Sequence, residues 1–314
     1  MFDFMALELF DESLGCLDDG TYHPWVDMLF GSIKAWAFLS LSEYFPALFW
    51  IITPAVRILR RDLLRHRNTK FASIASKVSG KREPEPGRRT FDTYIQESKN
   101  PQSSLFIEEI LPNYSFIMMA GSETTATLLS GCTFFILRHP DVYKKLAAEI
   151  RLGFSSPSEM TFSSLVGMSY LQATLQEALR MYPPLPLGMP RVVPSGGAVV
   201  SGHLVPENTT VAVASWATYQ SSSNFKDPQL FFPERWLNTF RGTDNIEGAM
   251  QAFSLGPRGC PGKSLALAEA SLVLARLIWT FDLELSPQCF NWADQRAYII
   301  WDKGPLLVKL TPRR

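Results

Sequence analysis

Apolar and polar positions change their rhythm twice along this chain. From about residue 103 to 138 apolar residues recur at helical spacing and dominate, which predicts one long central helix ended by His139-Pro140, with Pro112 in its first turn or at a kink. Residues 141 to 152 and 163 to 181 keep the helical period with a polar face, and the second stretch stops at Tyr182-Pro183-Pro184. Residues 189 to 219 then switch to β-branched runs, Val199-Val200 and 209 to 213, broken by Gly196-Gly197 and Gly202, which predicts short strands and hairpins. The helical rhythm returns over 265 to 281, and residues 298 to 300 and 306 to 310 read as a closing pair of strands. The fold class that follows is α+β, mainly α with small β-sheets.

The front of the chain is less regular. Residues 1 to 33 mix a short helical pattern with the breakers Asp18-Asp19-Gly20 and His23-Pro24, and the acids near the start exclude a signal peptide's basic region. Residues 35 to 52 are long and apolar, but Glu43 and Pro46 interrupt them, so a membrane span is rejected. Arg57, Arg60, Arg61, Arg65, Arg67 and Lys70 follow, a combination that suits either a solvated basic helix packed on a core or a peripheral membrane contact. Residues 79 to 90 are polar and rich in breakers, hence a surface loop.

With 314 residues, 46% of them apolar, and zero formal net charge, the chain buries a large core and shows no electrostatic bias toward nucleic acid. The four cysteines, Cys16, Cys132, Cys260 and Cys289, form no C-x-x-C pair, and His23, His66, His139 and His203 are dispersed. Neither a disulfide framework nor a zinc site is indicated, and a reducing, intracellular setting fits.

Candidate chemistry concentrates at residues 253 to 264, Phe-Ser-Leu-Gly-Pro-Arg-Gly-Cys-Pro-Gly-Lys-Ser, where one cysteine sits among glycines ahead of an apolar helix. Gly256, Gly259 and Gly262 let backbone N–H groups approach the Cys260 sulfur, and the helix presents its positive end there. Phe253 would shield an anionic sulfur and Arg258 would meet an external anion, which together suit a single-cysteine iron ligand; the bland alternative is an inert structural cysteine. The five fixed residues of Phe-x-x-Gly-x-Arg-x-Cys-x-Gly match by chance in a chain this long only on the order of 1 in 10,000 or less. This loop resembles the haem-binding loop of the cytochrome P-450 family, the haem-thiolate monooxygenases.

Three further motifs carry the resemblance. Ala120-Gly121-Ser122-Glu123-Thr124-Thr125 is poor filling for a helix interior: its small residues make room either for a flat ligand or for close helix packing. A hydroxyl at Thr124 can turn back on a helix carbonyl and loosen the ladder. The hexapeptide is similar to the family's distal-helix pattern, which implies that Glu123 and Thr124 manage proton delivery and that Gly121 faces the cofactor. Glu177 and Arg180, three apart in an apolar helix, together with Pro233-Glu234-Arg235-Trp236, resemble the family's buried Glu-Arg-Arg network, a structural role. Arg191 falls where family members hold a haem propionate, beside the plainer reading of a strand-end surface arginine; Arg258 is the better propionate ligand.

The resemblance implies a cytochrome P-450 catalytic domain, C-terminal part, over residues 1 to 314, with a central distal helix at about 103 to 138, a Glu-x-x-Arg helix at about 163 to 181 and the haem-thiolate loop at 253 to 262. It implies haem b (iron protoporphyrin IX) with Cys260 as the axial metal ligand, electrons from NADPH through NADPH-cytochrome P-450 reductase, and oxygen insertion into a small lipophilic substrate. The surrounding wording looks most like fungal enzymes of secondary metabolism. Family members usually sit on the endoplasmic reticulum facing the cytoplasm. They also carry a first segment that is not matched here, so the chain reads as beginning partway into the fold. A desaturase, a ring-rearranging oxidase and an inactive remnant are the rival readings.

Overall fold

The computed structural model describes residues 1–10, 13–23, 26, 30, 45, 47, 50, 107–237 and 245–313. Most of the apolar stretch 35–52, the basic residues of 57–70 and the loop 79–90 lie outside the described residues. The chain divides into two compact units, Met1–Thr124 and Thr125–Arg314.

In the first unit, α1 (Phe2–Phe10) places Phe2, Met5, Ala6 and Leu9 on one face by their helical spacing. That face is buried with Val26 and with Met118. Between α1 and α2 (Cys16–Asp19) the chain is held by one carboxylate: Asp3 accepts from Ser13 Oγ at 2.9 Å and from the backbone N–H groups of Cys16 and Leu17 at 3.1 and 2.6 Å. Burial alone would raise the Asp3 pKa, and these donors more than reverse it, so the carboxyl sits below its ordinary value.

The long helix α3 spans Ile107–Arg138 and continues through Pro112, and α4 (Pro140–Gly153) starts directly after His139 with Pro140 in its first turn. The sequence predicts one helix over 163 to 181, but the structure has two. Thr161 and Ser164 form a capping box for the short α5 (Phe162–Val166), Met168 is extended, and α6 (Ser169–Met181) begins again. The break is held from elsewhere: the Glu149 carboxylate on α4 accepts the N–H groups of Tyr170 and Leu171, both at 2.8 Å, and so caps α6.

Three small antiparallel ribbons follow. β1 (Arg191–Val192) pairs with β4 (Thr210–Val211), and β2 (Ala198–Val200) with β3 (His203–Val205), across the Ser201-Gly202 turn. The end of the predicted strand region is instead a short helix, α7 (Ser215–Tyr219). After α8 (Lys263–Thr280), β5 (Phe281–Leu285) pairs with β6 (Val308–Pro312), Leu283 opposite Leu310. The partner of the last strand is therefore 281–285 and not 298–300, which forms only a tight turn with a bridge between Ala297 and Trp301. Arg151 caps the C-terminus of α8, its Nε and Nη2 donating to Ile278 O at 3.1 and 2.9 Å and its Nη2 to Phe281 O at 3.0 Å.

The core of the second unit packs α3, α4, α6 and α8 through Leu128, Phe134, Leu146, Ile150, Leu171, Leu175, Leu274 and Ile278. Each such side chain contributes about 1.5–3 kcal/mol by leaving water. Inside this apolar mass lies a charged cluster. Glu177 Oε1 accepts from Arg180 Nη2 at 2.8 Å, Arg235 Nε at 3.0 Å and the Phe232 N–H at 2.9 Å, while Oε2 accepts from Arg180 Nε at 3.0 Å and Trp236 Nε1 at 2.8 Å. Arg180 Nη1 donates onward to Tyr219 O and Pro228 O, both at 2.8 Å. Glu177 and Arg180 are fully buried. At the edge of the unit, Lys145 Nζ and Tyr170 OH donate to Glu234 Oε1 at 2.5 and 3.0 Å. Burial and then the Glu234 charge push the Tyr170 hydroxyl well above its usual range.

Two expectations follow. Glu177→Ala leaves two buried guanidiniums without their carboxylate and should lower unfolding free energy by about 3–5 kcal/mol, read from urea denaturation. For Glu234, burial raises the carboxyl pKa but the Lys145, backbone and Tyr170 hydrogen bonds hold it below the ordinary value. A depressed folded pKa gives stability that is present above the unfolded value and lost as pH falls through the folded one. Lys145→Met should therefore lower stability at neutral pH and leave it little changed below the folded carboxyl pKa, which flattens the acid limb of a stability-versus-pH curve.

Candidate active site

The cysteine loop is closed by its own backbone. Ser254 N–H donates to Gln251 O at 2.9 Å, Gly259 N–H to Gly256 O at 2.9 Å and Cys260 N–H to Phe253 O at 2.8 Å. Gly256 adopts φ +67° and opens a 3-10 turn, Gly256–Arg258, a backbone state that a Cβ would strain. The loop is also tethered to the core, because Tyr219 OH accepts the Gln251 N–H at 3.1 Å. Burial raises the Tyr219 pKa, so it stays a neutral hydroxyl.

Cys260 is exposed, unlike Cys132 and Cys289, and stands three residues before the 18-residue helix α8. A Cβ on Gly262 would lie 3.9 Å from its sulfur, in contact. Phe253 is half-buried against the core, with Lys263 Nζ 5.8 Å from its ring centre, and Arg258 is exposed on the same loop. A soft sulfur presented outward at a helix's positive end, beside an aromatic wall and two cations, is a donor set that fits an anionic iron macrocycle.

The other predicted residues are found as follows. Thr124 Oγ1 donates to Ala120 O at 2.6 Å, the back-bond expected of a helical threonine. Glu123 is 2% exposed. A Cβ on Gly121 would meet Met5 Cε at 2.8 Å, so this glycine permits the close contact of α1 with α3. Arg191 is exposed at the end of β1, its Nη1 donating to Pro190 O at 2.9 Å. Sequence reasoning passed over Lys303, whose Nζ donates to Thr127 Oγ1 on α3 at 2.5 Å; with 176 residues between them, no spacing rule could have paired them.

A family model described as Cytochrome P450 matches residues 1–309. The chain belongs to the cytochrome P450 family. Among its relatives are the cytochrome P450 monooxygenase lcsI of Purpureocillium lilacinum, 40% identical over 100% of this chain and 60% of the relative, and the trichothecene C-15 hydroxylase of Fusarium sporotrichioides, 41% identical over 99% and 63%. The averantin hydroxylase of Dothistroma septosporum is 38% identical over 99% of this chain and 59% of its own. The chain thus spans about 60% of the length of the curated relatives it matches. Its fold is similar to that in the crystal structure of the cytochrome P450DA heme domain, with a TM-score of 0.76 at 20% identity, covering 100% of this chain and 66% of the other. Within this P450 chain, no helix among the described residues is long and apolar enough to cross a membrane.

Thiol chemistry separates the cysteines. Burial pushes the Cys132 thiol up to about 12, whereas Cys260 is open to solvent. Iodoacetamide at pH 8 should alkylate Cys260 in the folded, haem-free chain and reach Cys132 only after denaturation, with peptide mass mapping as the readout.

Proposed function

We propose that this chain is the cysteine-bearing part of a haem-thiolate monooxygenase that hydroxylates a small lipophilic molecule, as in fungal secondary metabolism. The observation that carries the proposal is the exposed Cys260 sulfur on a glycine loop at the start of α8. Two of the fungal relatives are named as hydroxylases, which supports hydroxylation as the outcome.

Cys260 is assigned as the iron ligand, and Phe253 is assigned to cover its sulfur. Arg258 is assigned to a haem propionate, with Arg191 as the second candidate. Bound iron protoporphyrin IX supplies activation of molecular oxygen, with electrons from NADPH through a reductase. The residues' part is to hold and move protons. Thr124 spends its hydroxyl hydrogen on Ala120 O, which leaves the oxygen lone pairs to accept from a water. The same bond competes with the helix ladder for the Ala120 carbonyl. Glu123, an acid on the adjoining position, is the group assigned to resupply the proton.

The test is the reduced, carbon-monoxide-bound spectrum of the haem-loaded chain. A red-shifted Soret band is expected in the native sequence and its loss in Cys260→Ser with helical circular dichroism retained; a native chain without the band overturns the proposal. In a chain that turns over, Thr124→Ala should raise peroxide released per NADPH consumed while substrate affinity changes little. Unchanged coupling would leave Thr124 a packing residue.

A further inference from the structure

We propose that Lys303 is a positioning residue for the long helix: by fixing the Thr127 hydroxyl, it sets the local state of the α3 ladder next to the Glu123-Thr124 pair. The functional half of this proposal rests on the monooxygenase reading above.

Lys303 turns inward. A lysine near a surface ordinarily runs its stem over the protein and leaves its ammonium in water, because ordering four rotors and stripping a strongly hydrated charge both cost free energy. Here Nζ reaches Thr127 Oγ1 at 2.5 Å, and Thr127 is fully buried. The segment that delivers the lysine is itself pinned. The Trp301 ring stacks on Tyr182 with centres 4.7 Å apart and planes at 12°, and Trp301 Nε1 donates to Pro183 O at 2.8 Å. Tyr182 OH donates to Gln295 Oε1 at 2.5 Å, Asp302 N–H donates to Arg296 O at 2.8 Å, and Trp292 Nε1 donates to Gly304 O at 2.8 Å.

Tyr182 also bears on α3. A Cβ on Gly131 would lie 2.6 Å from Tyr182 Cδ1 and 3.0 Å from its Cβ, so the tyrosine sits directly on the helix at that glycine. Positions 127 and 131 are four apart and share one face. The segment ending at Lys303 therefore bears on two successive turns of α3, directly through the Lys303 charge and indirectly through Tyr182, which Trp301 and Gln295 hold.

A hydroxyl that accepts from an ammonium must direct its own hydrogen elsewhere, and within a helix the acceptor in reach is a carbonyl of the preceding turn. Thr124 makes that kind of bond to Ala120 O. Each such bond competes with an amide for the same carbonyl and loosens the ladder there. Lys303 thus selects the rotamer of Thr127 and, through it, how tightly the turn after Thr124 is wound. No step of chemistry is assigned to Lys303 itself.

The test uses Lys303→Met, Lys303→Arg, Thr127→Val and the Lys303→Met/Thr127→Val double variant. In the haem-free chain each of the Met and Val variants should lower Tm by roughly 2–4 °C. The double variant should lose no more than the worse single one, the mark of residues acting as a unit. Hydrogen exchange of α3 amides at 125–129 should change in both singles and be restored in Lys303→Arg. In haem-loaded protein, peroxide released per NADPH should rise in Lys303→Met and Thr127→Val and return toward the native ratio in Lys303→Arg, all four keeping the thiolate carbon-monoxide band. Additive Tm losses, or native exchange at 125–129, overturn the proposal. If the native chain shows no thiolate band, the monooxygenase reading falls, and the Tm cycle and exchange data still decide whether Lys303 controls α3.

Discussion

One buried carboxylate organises the second unit. Glu177 gathers two guanidiniums, an indole and a backbone amide, which come from two places in the chain, Arg180 on α6 and the short stretch 232–236. Arg180 carries the constraint further, since Tyr219 O is one of its acceptors and the Tyr219 hydroxyl takes the Gln251 N–H at the entrance of the cysteine loop. From there Ser254 to Gln251 and Cys260 to Phe253 close the loop itself. The loop's shape is thus anchored, through four named hydrogen-bonding steps, to a charge cluster on α6. A buried ion cluster of this sort adds little net stability over a well-packed apolar one of equal volume, because desolvation offsets most of the attraction. What it adds is direction: a carboxylate with five donors accepts one arrangement of its neighbours, where a leucine would accept many.

Most helices were legible because their apolar faces recur at the helical period over a dozen or more residues, and α3, α4, α6 and α8 all do. The break at Gly167-Met168 was not, since the cap that holds it comes from Glu149, some twenty residues away. The last strand was placed correctly but its partner was not. Residues 298 to 300 have the side chains of a strand, yet the ribbon is made by Phe281–Leu285 directly after α8, where strand and helix patterns run together. The cysteine loop was legible in the sequence because its signal is local: glycines, a proline and an arginine at fixed short distances. The burial of the Glu177 network was legible only through the family resemblance, because by spacing alone a Glu and an Arg three apart look alike whether they lie in water or, as here, fully buried.

Glycine on α3 illustrates the same limit. At 121 and at 131 the helix lacks a side chain, and only the first was read from sequence as room for something. The structure fills them with Met5 and Tyr182 respectively, neighbours of very different stiffness. A thioether end can swing aside at small cost, while a tyrosine stacked on Trp301 and bonded to Gln295 cannot. Position 131 is therefore the stricter of the two, although only position 121 lies in a recognised motif.

The Glu177 cluster also imposes an order of events during synthesis. Its acceptor and first arginine leave the ribosome with α6, but the amide, guanidinium and indole that complete the cluster come 55, 58 and 59 residues later. At about 5–20 residues per second, the growing chain carries an incompletely matched carboxylate and arginine for roughly 3–12 seconds. During that interval α6 has no complete set of partners, and the core that surrounds it has no reason to close. A pause or slow codon between 181 and 236 would lengthen that interval.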